Sequence, residues 1–264
     1  MVDTHIHSNF SPDSDMSIDL ICDRGVELGF SAIAITDHMD HDFLDGSYSF
    51  EPHEYHKTMF AAKEALKDKI RLIIGVEEGY QPHVINEIIY DFGVIEPDFI
   101  ICTNHSVDGI DLSLPEFYVG KTRRQAFIRY LETIHESIFK MPSFDTIAHI
   151  GYIRRYAPYR DEENSLSYVE FKDYFDAIFK ALIENGKSME INTSGLFRYG
   201  FLMPEKDIIK AYIDMGGEMI TLGSDAHYPK AIGYKFNETA DYLKSIGLKY
   251  LTYYDERKAI LEKI

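Results

Sequence analysis

Short runs of β-branched and other apolar residues, each followed by a loop and then by a longer stretch of helical periodicity, recur along this chain and leave it few folds. Residues 32–36, 72–76, 99–102 and 219–222 read as buried strands. Weaker strands are expected at the start of the chain and at 146–148, 189–191 and 250–252. Nearly unbroken apolar character means cover on both faces, which is the habit of parallel sheets. Between these runs lie helices. Ser17 can cap one that carries Ile18, Ile21, Cys22 and Leu28, with Gly29 as its stop. Phe127, Tyr130, Leu131, Ile134 and Ile138 recur at helical spacing, and a similar run from Phe171 to Ile183 ends at Gly186. Pro204 suits the first turn of a helix bearing Ile208, Ile209, Tyr212 and Ile213 before Gly216. Alternating strands and helices predict a parallel sheet with right-handed crossovers. Seven or eight such units in 264 residues predict a closed α/β barrel rather than an open sheet. With no repeat, linker or low-complexity segment, residues 1–264 are read as a single domain.

Charge and cysteine content narrow the function. Lys and Arg number 27 against 44 Asp and Glu, a formal net charge of −17. Such a surface repels nucleic-acid backbones, so no nucleic-acid partner is expected. Bound divalent cations would offset part of that charge. Cys22 and Cys102 sit in apolar segments without CxxC spacing, which argues for free thiols in a reducing cytoplasm. The chain shows no basic-then-apolar leader and no apolar run near the ~20 residues that cross a bilayer, so neither export nor membrane insertion is expected.

The chemistry lies in where the polar residues fall. His5 and His7 follow the first strand, Asp37 and His38 the second, and Glu77 the third; His105, His149, Asp225 and His227 follow later strands. In a parallel barrel all those strand ends share one face, where catalytic residues gather. His5-x-His7 and Asp225-x-His227 each put two donors on one side of an extended chain. Imidazole with carboxylate suits Zn, Mn or Fe. A carboxylate such as Glu77 can bridge two ions, and two ions ~3.5–4 Å apart can activate water and steady both oxygens of a phosphoryl transfer. A lone histidine after a strand is more often packed or surface-bound than a ligand; the assembled set is what argues for metal. His41, His53, His56, His83 and His135 fit the pattern less well. His135 falls mid-helix, whereas His41 and His83 follow strand ends closely enough to rank second. Glu78 competes with Glu77, and spacing alone does not separate them. The stretch from Asp108 to Thr122 reads as an active-site loop. Arg155 and Arg198 fall near strand ends and suit a phosphate monoester, whose oxygens guanidinium grips in two-pronged fashion. Arg154 is Arg155's rival, and a surface ion pair is the plainer reading of each.

These residues resemble the PHP superfamily, the family of polymerase and histidinol phosphatase domains. The matching pieces are residues 3–8 (Asp-Thr-His-Ile-His-Ser), 36–38, 75–77, 104–106, 148–149 and 223–227 (Gly-Ser-Asp-Ala-His). The resemblance implies a distorted (β/α)7 TIM-like barrel and two to three divalent metals. It implies that His5, His7, Glu77 and Asp225 hold the first ion. Glu77 would bridge to a second, shared with His105 and His149, and Asp13, His38 and His227 would hold a third. Asp13 comes from the resemblance alone, and Asp15 is its rival. Within the superfamily the chain is most similar to the histidinol-phosphate phosphatase branch, through residues 149–156, 192–198 and 106–111. Gly151 departs from that branch's usual Asp, and Asn104 from its usual apolar residue.

The implied reaction is hydrolysis of L-histidinol phosphate to L-histidinol and phosphate in histidine biosynthesis. Glu77, Asp225 and His227 would serve catalysis, and Arg155, Arg198 and Ser106 would contact the substrate. The rivals are another PHP-type phosphoesterase, acting on nucleotides, oligonucleotides or phosphotyrosine, and a non-catalytic metal-binding regulatory domain. A metal-dependent amidohydrolase would want a lysine or other bridging group, which is not evident at a strand end.

Overall fold

The apolar runs fold as strands that extend beyond their hydrophobic segments and carry the polar residues along with them. The computed structural model describes residues 1–43, 48–160 and 164–264. Among these residues the strands are β1 (Val2–Asp3), β2 (Ala32–Met39), β3 (Arg71–Gly79), β4 (Phe99–Thr103), β5 (Ser106–Val107), β6 (Ile110–Asp111), β7 (Thr146–Ile147), β8 (Ser188–Asn192), β9 (Ile220–Gly223), β10 (Tyr250–Asp255) and β11 (Lys258–Lys263). The α-helices are α1 (Ile18–Glu27), α2 (Pro52–Leu66), α3 (Ile85–Ile95), α4 (Arg123–Lys140), α5 (Lys172–Glu184), α6 (Ser194–Arg198), α7 (Lys206–Asp214) and α8 (Phe236–Ser245).

Seven strands form one all-parallel sheet in the order β1-β2-β3-β4-β7-β8-β9. The chain beyond β1 and β9 closes it. Thr4 N–H donates to Leu222 O, Asp225 N–H to His5 O and His7 N–H to Ala226 O, and Ile6 and Ala226 form a parallel bridge. The result is a distorted seven-stranded α/β barrel. The run at 250–252, expected to be a weaker strand, does not join it. It pairs antiparallel with β11 as an external hairpin. Pro204 lies just outside α7, which begins at Lys206 after Glu205.

Side-chain alternation divides the core. Ile33, Ile35, Leu72, Ile74, Ile100 and Cys102 face the helices and join the large outer cluster. Ala32, Ala34, Ile73, Phe99 and Ile101 form a separate inner cluster. Tyr254 of the hairpin belongs to that inner cluster, stacked on Phe99 and bonded through its hydroxyl to Ser188. One end of the barrel is therefore filled with apolar and aromatic groups, which leaves the other end, where the strands terminate C-terminally, for polar side chains. Ser17 caps α1 through its side chain, and Thr122 and Gln125 form a reciprocal capping box on α4. Among the described residues no helix is long and apolar enough to cross a membrane.

Candidate metal centre

Strand register decides which carboxylate enters the barrel mouth. Glu77 pairs directly with His38 of β2. Adjacent strand residues point to opposite faces, so Glu78 points outward. Glu77 is fully buried at the centre of five histidines. Its Oε2 lies 3.3 Å from His5 Nε2, 3.5 Å from His7 Nε2 and 2.9 Å from His38 Nδ1. Its Oε1 lies 2.7 Å from His149 Nε2 and 3.4 Å from His105 Nε2. Asp225 Oδ1 stands 3.3 Å from His7 Nε2 and 3.9 Å from His5 Nε2. Beyond them Asp13 reaches to 3.1 Å from His227 Nε2 and 3.8 Å from His38 Nε2. All nine residues expected to hold metal thus converge on one mouth.

Whether these groups suit metal can be tested on the imidazole protons. His5 Nδ1 meets Glu190 Oε1 at 2.6 Å, and His105 Nδ1 meets Asp40 at 3.1 Å. His227 Nδ1 meets the backbone carbonyl of Asp225 at 3.0 Å. The Ser11 hydroxyl donates to Asp37, so at 3.0 Å it accepts from His7 Nδ1. In each case Nδ1 has a hydrogen-bond partner and Nε2 is left facing the centre. A partner on the far nitrogen is how metal-ligating histidines are oriented. His5 Nε2 and His7 Nε2 lie only 3.1 Å apart, both turned to the centre. Donors held ~2.0–2.2 Å from one tetrahedral ion lie roughly 3.3–3.6 Å apart, close to what is seen around His5, His7, Glu77 and Asp225.

Electrostatics keep the carboxylates ionised. Burial would raise Glu77, but the charges of His5, His105 and His38 outweigh it and hold the carboxyl well below its usual range. Asp225 behaves likewise through its hydrogen bond to His7 and the charges of His5, Arg155 and His227. Burial opposes protonation of His105, yet Asp40 and Glu77 push its imidazole up to about 10. The backbone is strained at the same place. His149 (φ 22°) and Asp225 (φ 50°) adopt positive φ at strand ends, where strain commonly marks a functional site.

Glu190 escaped sequence reasoning. It sits inside the apolar run 189–191, and a carboxylate there was the available signal. Its second oxygen accepts from the His149 backbone N–H at 2.7 Å, so it anchors two strands' histidines together. Gly223 makes this packing possible, since a Cβ there would stand 2.4 Å from Glu190 Oε1 and 2.5 Å from His5 Cβ. Asp40, which orients His105, was also missed. Exchange of Glu190 for Gln is expected to weaken metal affinity by about 10–100-fold, the usual cost of losing such a partner. A chelator competition titration measures it, and an unaltered affinity would deny Glu190 its orienting role.

The mouth opens into a cavity of roughly 280 Å³. Arg155 and Arg198 both line it, with Asp111, Tyr48, Tyr152 and Tyr156. Arg155 Nη2 is fixed by Ser194 Oγ at 2.6 Å and Asp225 Oδ2 at 3.1 Å, while its buried Nε has no hydrogen-bond partner among the described residues. Arg154 instead pairs with Glu205 and lies over the Phe201 ring. Ser106 is a correction: β5 turns it away from this cavity into a separate one beside Gln81, Arg129 and Glu136. The segment 108–122 does contribute Asp111 and Ser113 to the wall. Asp15 is exposed, His83 is exposed and paired with Asp42, and His135 lies on α4 against Phe139. Gly151 stands at φ 118°, a conformation an Asp would adopt only under strain.

Comparison with known proteins bears on this geometry. The chain matches the PHP domain family over residues 3–194. It is 31% identical over 248 residues to a probable histidinol-phosphatase from Clostridium acetobutylicum, covering 94% of each chain. It is 30% identical over 264 residues to a probable histidinol-phosphatase from Thermotoga maritima, covering all of both. Its fold is similar to the crystal structure of histidinol phosphate phosphatase from Lactococcus lactis, complexed with zinc, L-histidinol and phosphate. That match has a TM-score of 0.88 at 27% identity and covers 98% of both chains.

Proposed function

The chain belongs to the PHP domain family, and from that premise we propose that it is a divalent-metal-dependent phosphomonoesterase that hydrolyses L-histidinol phosphate to L-histidinol and phosphate in histidine biosynthesis. The observation that carries this reading is the convergence on one cavity of a complete His/Asp/Glu donor set and two arginines. We assign His5, His7, Glu77 and Asp225 to one ion, Glu77, His105 and His149 to a second, and Asp13, His38 and His227 to a third. Zinc is favoured by the imidazole-rich donors and by its presence in the Lactococcus structure. When bound, such ions lower the pKa of water and stabilise charge on phosphoryl oxygens. The whole of 1–264 is taken as one catalytic unit. Two free, buried cysteines support a reducing, cytoplasmic setting.

The chain's own groups do the positioning. Glu77 holds its two oxygens toward opposite sets of histidines, so one side chain fixes the spacing of the site. Arg155 is locked in place before substrate arrives and offers guanidinium N–H groups to phosphoryl oxygens. Arg198, at the end of α6, supplies a second cation from the solvent side. Asp111 and the tyrosine walls match a substrate carrying an amine and an imidazole, through charge and ring-face contacts.

Exchange of Arg198 for Met is expected to raise KM about tenfold with kcat and metal content nearly unchanged, the loss of one charge-assisted contact at ~1.4 kcal/mol. Steady-state kinetics measure it, and an unmoved KM would return Arg198 to the surface. The reading as a whole is tested by phosphate release from L-histidinol phosphate beside an aryl phosphate and a short oligonucleotide. A kcat/KM for histidinol phosphate far above the others is expected. Preference for the oligonucleotide, or equal turnover of all three, would overturn the substrate assignment.

A further inference from the structure

The residue beside the central carboxylate opens onto a different place. Strand alternation sends Glu78 out of the barrel, into the layer between β3 and α3. It is fully buried there, and among the described residues neither of its carboxylate oxygens has a hydrogen-bond partner. Asp91, on the inner face of α3, is 1% exposed. His41, from the loop after β2, points its Nε2 between them, 2.6 Å from Asp91 Oδ2 and 3.7 Å from Glu78 Oε1. Donor atoms of all three lie within 4.8 Å of one another. None of the three lines the barrel-mouth cavity.

We infer that His41, Glu78 and Asp91 form a further divalent-metal site, on the outer side of β3 and separate from the barrel mouth. A buried carboxylate with no donor beside a second carboxylate is costly, because nothing replaces the water it has lost. One imidazole, already engaged by Asp91, does not satisfy both acids. A divalent cation does: two carboxylates balance its charge, and the imidazole supplies the nitrogen donor that zinc-class ions favour. The donors lie within 4.8 Å of one another, and His41 and Asp91 would separate by roughly 1 Å to reach the ~3.3–3.6 Å spacing of a shared ion. His41 is 20% exposed at its side chain, which leaves room for water as a fourth ligand. Glu87, one turn before Asp91 on α3, adds its negative charge to the field around His41.

The role of such an ion is bracing. The loop after β2 carries Asp40, which orients His105, and Phe43, which lines the cavity. An ion between His41 and α3 would pin that loop to the barrel wall without touching substrate.

The test compares the full-length protein with His41→Ala and Asp91→Asn, each dialysed against zinc and counted by elemental analysis. His41 is partly exposed, so its replacement keeps the fold measurable. Each variant is expected to carry one zinc equivalent fewer per chain while retaining phosphomonoester turnover. Equal zinc counts in all three proteins would overturn the site. So would loss of the equivalent with turnover abolished rather than modestly reduced, since the missing ion would then belong to the barrel mouth.

Discussion

Exchange of Glu77 for Gln is expected to lower kcat/KM by about a thousandfold or more, beyond the 10–100-fold typical of partners outside the metal's own ligands. The reason lies in how many groups one carboxylate serves. Its two oxygens face His5, His7 and His38 on one side and His105 and His149 on the other. The amide keeps the shape and removes one oxygen acceptor and the negative charge. Five histidines then crowd an uncompensated centre, and bound metal should fall by more than one equivalent. Metal content and kinetics should therefore drop together. A Gln variant with full metal and full rate would end the bridging assignment.

Arg155→Met is the second large effect. The guanidinium touches Asp225 and Ser194, so it is held by the same carboxylate we assign to a metal. Arginines that neutralise charge in phosphoryl transfer are worth roughly 10³–10⁵ in rate, and about a thousandfold loss in kcat is expected here. Asp225 keeps contacts from Ser194 and Asn192, so metal content should be little changed. That split, rate lost and metal kept, separates Arg155 from the ligands. Parallel loss of metal would recast it as a prop for Asp225. Arg154, paired with Glu205 outside the cavity, is the internal control and should tolerate Met with little change in rate.

The sequence carried the barrel because hydrophobic runs and helical periodicity are local signals, and a parallel barrel turns each strand end toward one face. That logic brought His5, His7, His38, His105, His149, Asp225 and His227 to a common mouth. It went less far where a choice depended on side-chain parity or on distant packing. Glu77 and Glu78 are chemically equal neighbours, and only the register with His38 separates inside from outside. Asp13 lies on a loop, and the histidines it meets, His38 and His227, come from distant parts of the chain. Glu190 looked like part of an ordinary strand because its partners, His5 and His149, come from two other strands. Ser106 follows His105 immediately, but the β5–β6 hairpin carries it to the opposite side of its own backbone. The run at 250–252 has strand character and no parallel neighbour left to pair with, because the extensions of β1 and β9 have already closed the barrel.

The central claim is that divalent ions sit among the residues gathered around Glu77, and anomalous X-ray scattering from crystals of the metal-loaded protein tests it most directly. Peaks are expected between His5, His7, Glu77 and Asp225, and between Glu77, His105 and His149, with Glu77 common to both. Loaded crystals with no anomalous density touching Glu77 would contradict the claim.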